Sequence, residues 1–313
     1  MFDENIDLGY NINKRFVDES CSVLEMKNAT GRGQMTSYEI MPGICIMYND
    51  FHMEYCTSKA LSRGNMICID HCREGRIQWD MKNDKYIYIQ GGDLRIDCRK
   101  KHGGYFEFPL SHYHGLTIGF MIDQAQNSIS QYIKEFPVDL EKLREMFCSD
   151  SEVVVLRANE SISHIFSELY DVPEKIQNTY FKIKVLELLL YLSALNLEEE
   201  QSIRPYFTKF QVEKIKAIEK YMTKNIEQRY TLEELSEKFQ ISLTSMKNCF
   251  KGVYGNSIYA YMKSYRMNKA AVLLKETNLS VIDISGKLGY ESPSKFSSAF
   301  KSIMGKTPTK YRG

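Results

Sequence analysis

The chain has 313 residues, enough at roughly 150 residues per domain for about two domains, each with its own core. Hydrophobic residues make up 43% and charged residues 26%, an average globular mix that excludes a disordered, collagen-like or purely coiled-coil chain. The net charge of +1 hides a division: residues 208–313 hold 19 Lys+Arg against 9 Asp+Glu, net +10, and the rest 22 against 31, net −9. A basic third joined to an acidic remainder points to a polyanionic partner for the C-terminal part alone.

The start, Met1 to Tyr10, carries Asp3, Glu4 and Asp7 where a secretory signal puts basic residues and then an apolar run. The longest greasy stretch, Val185 to Leu195, is about eleven residues against the roughly 20 of a spanning helix. No membrane segment is expected, the chain reads as cytoplasmic, and its eight cysteines are expected to be thiols.

From about residue 15 to 123 the sequence predicts short strands at Thr36–Ile40, Ile44–Tyr48, Asn65–Asp70, Gly75–Met81, Tyr86–Gln90, Tyr105–Phe108 and Leu116–Ile122. Turn residues separate them at Pro42-Gly43, Asn49-Asp50, Asn83-Asp84, Gly91-Gly92-Asp93 and Gly103-Gly104. Regular short strands of this kind suggest a sandwich or barrel. From about 123 to 198 the period turns helical, in Ile129, Tyr132, Ile133 and Phe136, in Ile162, Ile165, Phe166 and Leu169, and in Ile183, Leu186 and Leu190. The leucine-rich stretch Tyr180–Leu197 carries more apolar surface than one helix usually buries in its own domain. Leu186 and Leu190 are therefore the candidate seam of a homodimer. A polar exit at Glu198–Ser202 predicts a first domain over 1–200, a linker over 201–207 and a second domain over 208–313.

Two groups in the first part have the composition of metal ligands, Cys68-Ile-Asp-His71-Cys72 and His112-Tyr-His114. In a strand, positions 112 and 114 face the same way, and metal sites of cupins use such an HxH pair. The glutamate expected after it is absent from Gly115 to Asp123, and no second CxxC completes a tetrahedral set. These residues read as buried or incidental, and no metal is assigned. No Gly-rich phosphate loop, nucleophile elbow or HExxH helix is present, so no catalytic residue and no cofactor is assigned.

The last third is all helix with well-marked ends. Thr231 to Glu234 is a capping box, Ser292-Pro293 and Thr307-Pro308 are helix starts, and Gly255 and Gly305 suit helix C-termini. This segment repeats itself. Leu235, Ser236, Phe239 and Ile241 recur as Ile284, Ser285, Leu288 and Tyr290 at an offset of 49, and Met246, Phe250 and Gly255 as Phe296, Phe300 and Gly305 at 50. Each copy has the layout of a helix-turn-helix, and the long helix Ser257 to Thr277 lies between them. With Met246 and Phe250 turned inward, Thr244, Lys247, Asn248 and Lys251 face out; with Phe296 and Phe300 inward, Ser294, Lys295, Ser298 and Lys301 face out. Such faces fit the major groove, with Thr244, Lys247, Asn248, Ser294, Lys295 and Ser298 as base readers, and Ser242, Lys251, Ser292 and Lys301 as phosphate contacts.

The segment from about Phe210 to Arg312 resembles the DNA-binding domain of the AraC/XylS family of transcription regulators. The resemblance rests on Arg266-Met-Asn-Lys-Ala-Ala-Val-Leu-Leu274, Ile282-Asp-Ile-Ser285, Leu288-Gly289-Tyr290, Ser292-Pro-Ser-Lys-Phe296, Ala299-Phe300-Lys301, Gly305 and Pro308-Thr-Lys-Tyr-Arg312. It departs from the family at Ser236 and Ser285, where alanine is common, and at Lys295 and Ser298, where arginine or glutamine often reads bases, so no operator sequence carries over. The resemblance implies an α+β chain: an N-terminal β-barrel or cupin-like domain with helices, followed by an all-α C-terminal domain with two helix-turn-helix units. It further implies double-stranded DNA as a partner, a small-molecule effector in the N-terminal domain, homodimerisation, and RNA polymerase as a possible contact. Trp79, Tyr86 and Tyr88 are then candidates to line the effector pocket. Two rivals remain at this stage. One is a cupin-type metal-dependent enzyme domain fused to a DNA-targeting module, and the other a regulator without ligand, controlled by a protein partner.

Overall fold

The computed structural model describes residues 12–58, 65–81, 84–99, 104–148, 154–197 and 206–313. The chain divides into two compact units, residues 1–79 with 87–204, and residues 80–86 with 205–313. The expected linker 201–207 lies, up to Pro205, outside the described residues, as do Met1 to Tyr10; Phe207, counted in that linker, is buried in a short strand.

The strands of the first unit are β1 (Ile12–Phe16), β2 (Cys21–Asn28), β3 (Gly31–Met41), β4 (Ile44–His52), β5 (Tyr55–Ser58), β6 (Met66–Met81), β7 (Lys85–Gln90), β8 (Leu94–Asp97), β9 (Gly104–Glu107), β10 (Tyr113–Met121) and β11 (Val154–Leu156). Its helices are α1 (Ile122–Tyr132), α2 (Leu140–Cys148), α3 (Glu160–Leu169) and α4 (Gln177–Ser193). The strands form a curled half-barrel in the order β1-β2-β3-β4-β10-β6, with β8 and β9 also pairing with β6. At 16 residues β6 is the longest of these strands. Its first half pairs with β10 and β8, and its second half reaches β9 at Gln78. The sequence predicts two strands here, Asn65–Asp70 and Gly75–Met81, and the structure joins them through His71–Glu74.

Antiparallel register places residues on one face in rows. Ile44, Phe120 and Ile67 form one row and Ile46, Ile118, Ile69 and Ile96 the next, followed by Tyr48, Leu116, His71 and Leu94. This face packs against α1 to α4 through Ile129, Leu143, Phe147, Ile162, Phe166, Phe181, Val185 and Leu189. Each fully buried Ile, Leu or Phe here contributes about 1.5–3 kcal/mol. The opposite face carries a second apolar cluster of Phe51, Met53, Cys72, Ile89, Phe106, Phe108 and Tyr113. Cys98, just past β8, is bonded to Cys148 at the end of α2. This corrects the expectation of thiols throughout. The other six cysteines are not disulfide-bonded.

The second unit contains β12 (Phe207–Thr208), α5 (Lys209–Lys224), α6 (Leu232–Lys238), α7 (Leu243–Tyr254), α8 (Ile258–Glu276), α9 (Val281–Lys287), α10 (Pro293–Met304) and α11 (Pro308–Arg312). Phe207 and Thr208 pair with Tyr86 and Lys85, so residues 80–86, which include the start of β7, belong to this unit. The expected capping box at Thr231 forms, with the Glu234 amide donating to the threonine hydroxyl and the Glu234 carboxylate accepting from the Thr231 amide. Ser280 with Asp283 and Thr208 with Gln211 make two further boxes. Gly255 and Gly305 end α7 and α10 with φ of 81° and 74°, a conformation that glycine takes without steric cost.

His71 is the charged-type residue of the third row. Its ring stacks on Phe166 at 4.3 Å and its Nδ1 lies 3.0 Å from the Tyr170 hydroxyl. Burial, and then the neighbouring Arg73, lower its pKa to about 4. The ring is neutral in the fold, so its contribution is complete above the unfolded value and is lost as pH falls from about 6.5 toward 4, by about 3 kcal/mol. Burial raises the Asp97 carboxyl to about 6, which acts in the opposite direction over the same window. The wild type is therefore compared with His71→Gln. Chemical denaturation of the two between pH 7 and 4 should show the wild type losing more stability than the variant, and equal pH dependence would refute a buried neutral His71.

Candidate nucleic-acid interface

Both helix-turn-helix units are held by the same set of contacts, one per copy. In the first, Met246 and Phe250 of α7 are wholly buried; in the second, Phe296 and Phe300 of α10 are wholly buried against Met267, Ala270 and Leu274 of α8 and Ile284 of α9. In each turn a serine hydroxyl donates to a carbonyl five residues on, Ser236 to Ile241 at 2.6 Å and Ser285 to Tyr290 at 3.3 Å. The two serines that depart from the family's alanine thus tie the turns shut. The residue between the helices is left-handed in both copies, Gln240 with φ 50° and Gly289 with φ 73°. Its carbonyl accepts from a cation in both, from Lys214 Nζ at 2.5 Å and from Arg229 Nε at 3.1 Å.

With Met246, Phe250, Phe296 and Phe300 buried, the opposite faces are exposed. Thr244, Lys247, Asn248 and Lys251 on α7 are exposed, and so are Ser294, Lys295, Ser298 and Lys301 on α10. Ser242 and Ser292 cap these helices, each accepting a backbone N–H with its hydroxyl oxygen, from Ser245 and from Lys295. Helix N-termini add the positive end of the backbone dipole to these faces. Between the units α8 runs 19 residues from the Ser257 cap to Glu276, within the rod expected from the sequence.

In the first unit the sequence candidates scatter. Trp79 is half-buried with the Arg95 guanidinium 3.6 Å over its ring, and Phe106 lies 5.5 Å away. Tyr88 is buried and donates to Gln78 Oε1 at 2.8 Å. Tyr86, expected beside them, falls in the other unit. Leu186 is inside the core, which removes it from the surface seam predicted for it, whereas Leu190 is 43% exposed. His112 precedes β10 and its Nδ1 lies 3.0 Å from the Leu110 carbonyl, so the HxH pair does not form one face of a strand. Cys68 is buried, and desolvation followed by Asp70 pushes its thiol up, which leaves it protonated and unreactive.

Sequence reasoning missed a buried polar cluster on the half-barrel face opposite the helices. Asp70 accepts from Arg95 Nε at 2.9 Å, from Arg99 Nη2 at 2.6 Å and from the Thr117 hydroxyl at 2.7 Å. The Nη1 atoms of Arg95 and Arg99 have no hydrogen-bond partner among the described residues. Thr117, Asp70 and Arg95 are in register on three strands; nothing local in the sequence signals that adjacency.

Two helix-turn-helix units with cationic, polar outward faces define a DNA-binding protein. A family model described as a helix-turn-helix domain matches residues 235–313. The chain is 24% identical over 181 residues to the HTH-type transcriptional activator RhaR of Mannheimia succiniciproducens, covering 56% of this chain and 63% of that one. It is 32% identical over 246 residues to the thermoregulatory protein LcrF of Yersinia pestis and 24% identical over 250 residues to the virulence regulon transcriptional activator VirF of Yersinia enterocolitica; both alignments cover 76% of this chain and 86% of the relative. The chain thus spans just under two thirds of the first and most of the other two. It belongs to the AraC/XylS family of transcription regulators, DNA-binding proteins that are not enzymes. Among the described residues no helix is long and apolar enough to cross a membrane.

The paired turns carry a direct test. A Cβ on Gly289 would lie 2.2 Å from the Glu227 carbonyl oxygen, so Gly289→Ala should destabilise the chain by more than about 2 kcal/mol. Gln240→Gly, which relieves the left-handed side chain, should change stability little or raise it by up to about 1 kcal/mol. Urea unfolding of the full chain reads both.

Proposed function

We propose that this chain is an effector-responsive transcription regulator that works in the cytoplasm as a homodimer and reads DNA through two recognition helices in successive major grooves. The observation that carries this reading is the repeated exposed face: Thr244, Lys247 and Asn248 on α7, and Ser294, Lys295 and Ser298 on α10, on a segment of net charge +10. Lysine pairs with guanine and asparagine with adenine edges, while Lys251, Lys301, Ser242 and Ser292 suit phosphates. The half-barrel is the cupin-like effector module of this reading. In this reading Trp79 and Tyr88 line the effector pocket together with Arg95, whose Nη1 has no hydrogen-bond partner among the described residues and suits an effector bearing an acceptor such as a carboxylate. Occupancy of that pocket changes DNA binding by the second unit, and RNA polymerase is the partner that reads the outcome.

Dimerisation is assigned to α4. Ile176, just before it, with Ile183 and Leu190 are exposed at 49%, 53% and 43% and recur every seven residues. A seven-residue apolar stripe is the pattern by which one helix packs on a second copy. Leu190→Asp and Ile183→Asp should yield a monomer with unchanged helix content in sedimentation and circular dichroism. Loss of fold instead, or a dimer that persists in both variants, would remove α4 from the seam.

The decisive experiment is a randomised-operator binding selection on the wild type, Asn248→Ala and Lys295→Ala. Each variant should relax preference at one cluster of base pairs, by about 1–3 kcal/mol per lost contact, and the two clusters should lie about 10 bp apart. If both variants alter the same base pairs, or affinity falls uniformly with no change of preference, the bipartite reading fails.

A further inference from the structure

The rows of the half-barrel continue one step past the helices. The third row ends the covered part of the face: Tyr48 donates its hydroxyl to the Leu169 carbonyl, and His71 lies against Phe166 and Tyr170. Two residues on, by strand alternation, the same face carries Asp50 of β4 and His114 of β10, which are partners in register, and His52 follows Asp50 along β4. These three side chains reach past the covering helices, with Asp50 and His52 exposed and His114 about one third exposed. His52 Nε2 lies 3.0 Å and His114 Nδ1 3.5 Å from the same oxygen, Asp50 Oδ1, and the two imidazole rings are 4.9 Å apart. All three donor atoms fall within 4.8 Å of one another.

We propose that Asp50, His52 and His114 form a binding site for a divalent transition-metal ion of the imidazole-seeking kind, zinc, cobalt or nickel. Two nitrogens and a carboxylate oxygen are the donor set such ions select. Ligand atoms on a tetrahedral zinc at 2.0–2.1 Å stand about 3.4 Å from one another; the 3.0 and 3.5 Å separations from Asp50 lie near that spacing, and the two nitrogens, within 4.8 Å of each other, close on the ion by rotation of the imidazoles. The backbone supplies the rigidity, because the donors come from two paired strands at an alternating and an in-register position. Glu74 of β6 is in register with His114 on the other side, though its carboxylate is not among the converging donors. Arg32 of β3, the register partner of His52, is the opposing charge beside it. An ion here leaves coordination positions open to water or to a small ligand.

The site differs from the HxH pair that the sequence suggests. His112 is turned to the Leu110 carbonyl and is not among the converging donors, so the structure replaces it with Asp50 and His52. Cobalt(II) titration of the full, untagged chain, freed of metal by a chelator, tests the assignment by visible absorption and equilibrium dialysis. One equivalent should bind with a nitrogen–oxygen spectrum lacking sulfur-to-cobalt charge transfer, and zinc should displace it. His52→Asn, His114→Asn and Asp50→Asn should each weaken binding by at least about tenfold, the lower end of what even an outer-sphere partner contributes. His112→Asn should leave it unchanged. Thermal unfolding of each variant, which alters only surface groups, keeps loss of binding distinct from loss of fold. No saturable equivalent, a thiolate spectrum, or binding undiminished in the three ligand variants would overturn the proposal.

Discussion

The second unit depends on one packing constraint applied twice. Met246 with Phe250, and Phe296 with Phe300, stand four residues apart and are removed entirely from water. A helix has one inward face, so burying these pairs fixes by rotation which side chains point outward. The polar, cationic surface is the geometric remainder of the core. The serine hydroxyls of Ser236 and Ser285 and the cations on the Gln240 and Gly289 carbonyls hold the angle at which that remainder is presented. Any core change that rotates α7 or α10 would therefore re-aim this surface without altering a residue on it.

The same chain shows what a sequence can and cannot disclose. The second unit was legible almost throughout, including the caps at Thr231, Ser292 and Thr307 and the glycine ends at 255 and 305, because these are interactions among residues a few positions apart. Its repeat doubled the signal. The half-barrel was legible only as a run of strands. β1, β2, β5, β8 and β11 are not singled out by the sequence pattern, and β6 reads as two strands, Asn65–Asp70 and Gly75–Met81. Above all, its polar groups meet across strands: Thr117 reaches Asp70 over 47 residues and Arg95 reaches it over 25. Asp50 and His114 are likewise 64 positions apart and adjacent only through register. A two-residue spacing such as His112-Tyr-His114 is visible on the page; a cross-strand neighbour is not. The pairing of Cys98 with Cys148, 50 residues apart, escaped for the same reason.

Charge burial separates the two faces of the half-barrel. On the helix-covered face the ionisable residue, His71, is kept neutral and stacked on Phe166. On the other face Asp70 and Asp97 are paired with Arg95 and Arg99. Burying such ions carries a desolvation cost that pairing offsets only when most donors are satisfied, and two guanidinium nitrogens here are not. A fold tuned for stability alone would place apolar residues at these positions.

Trp79 has a consequence for how the molecule can be watched. The chain contains one tryptophan, and it sits in the first unit, beneath a guanidinium and beside Phe106. Indole emission is therefore an optical signal of the half-barrel alone. The helix-turn-helix unit, with no indole, is silent in that channel while contributing strongly to far-ultraviolet dichroism. Comparing the two spectroscopic signals during unfolding separates the melting of one unit from that of the other, with no label and no truncation.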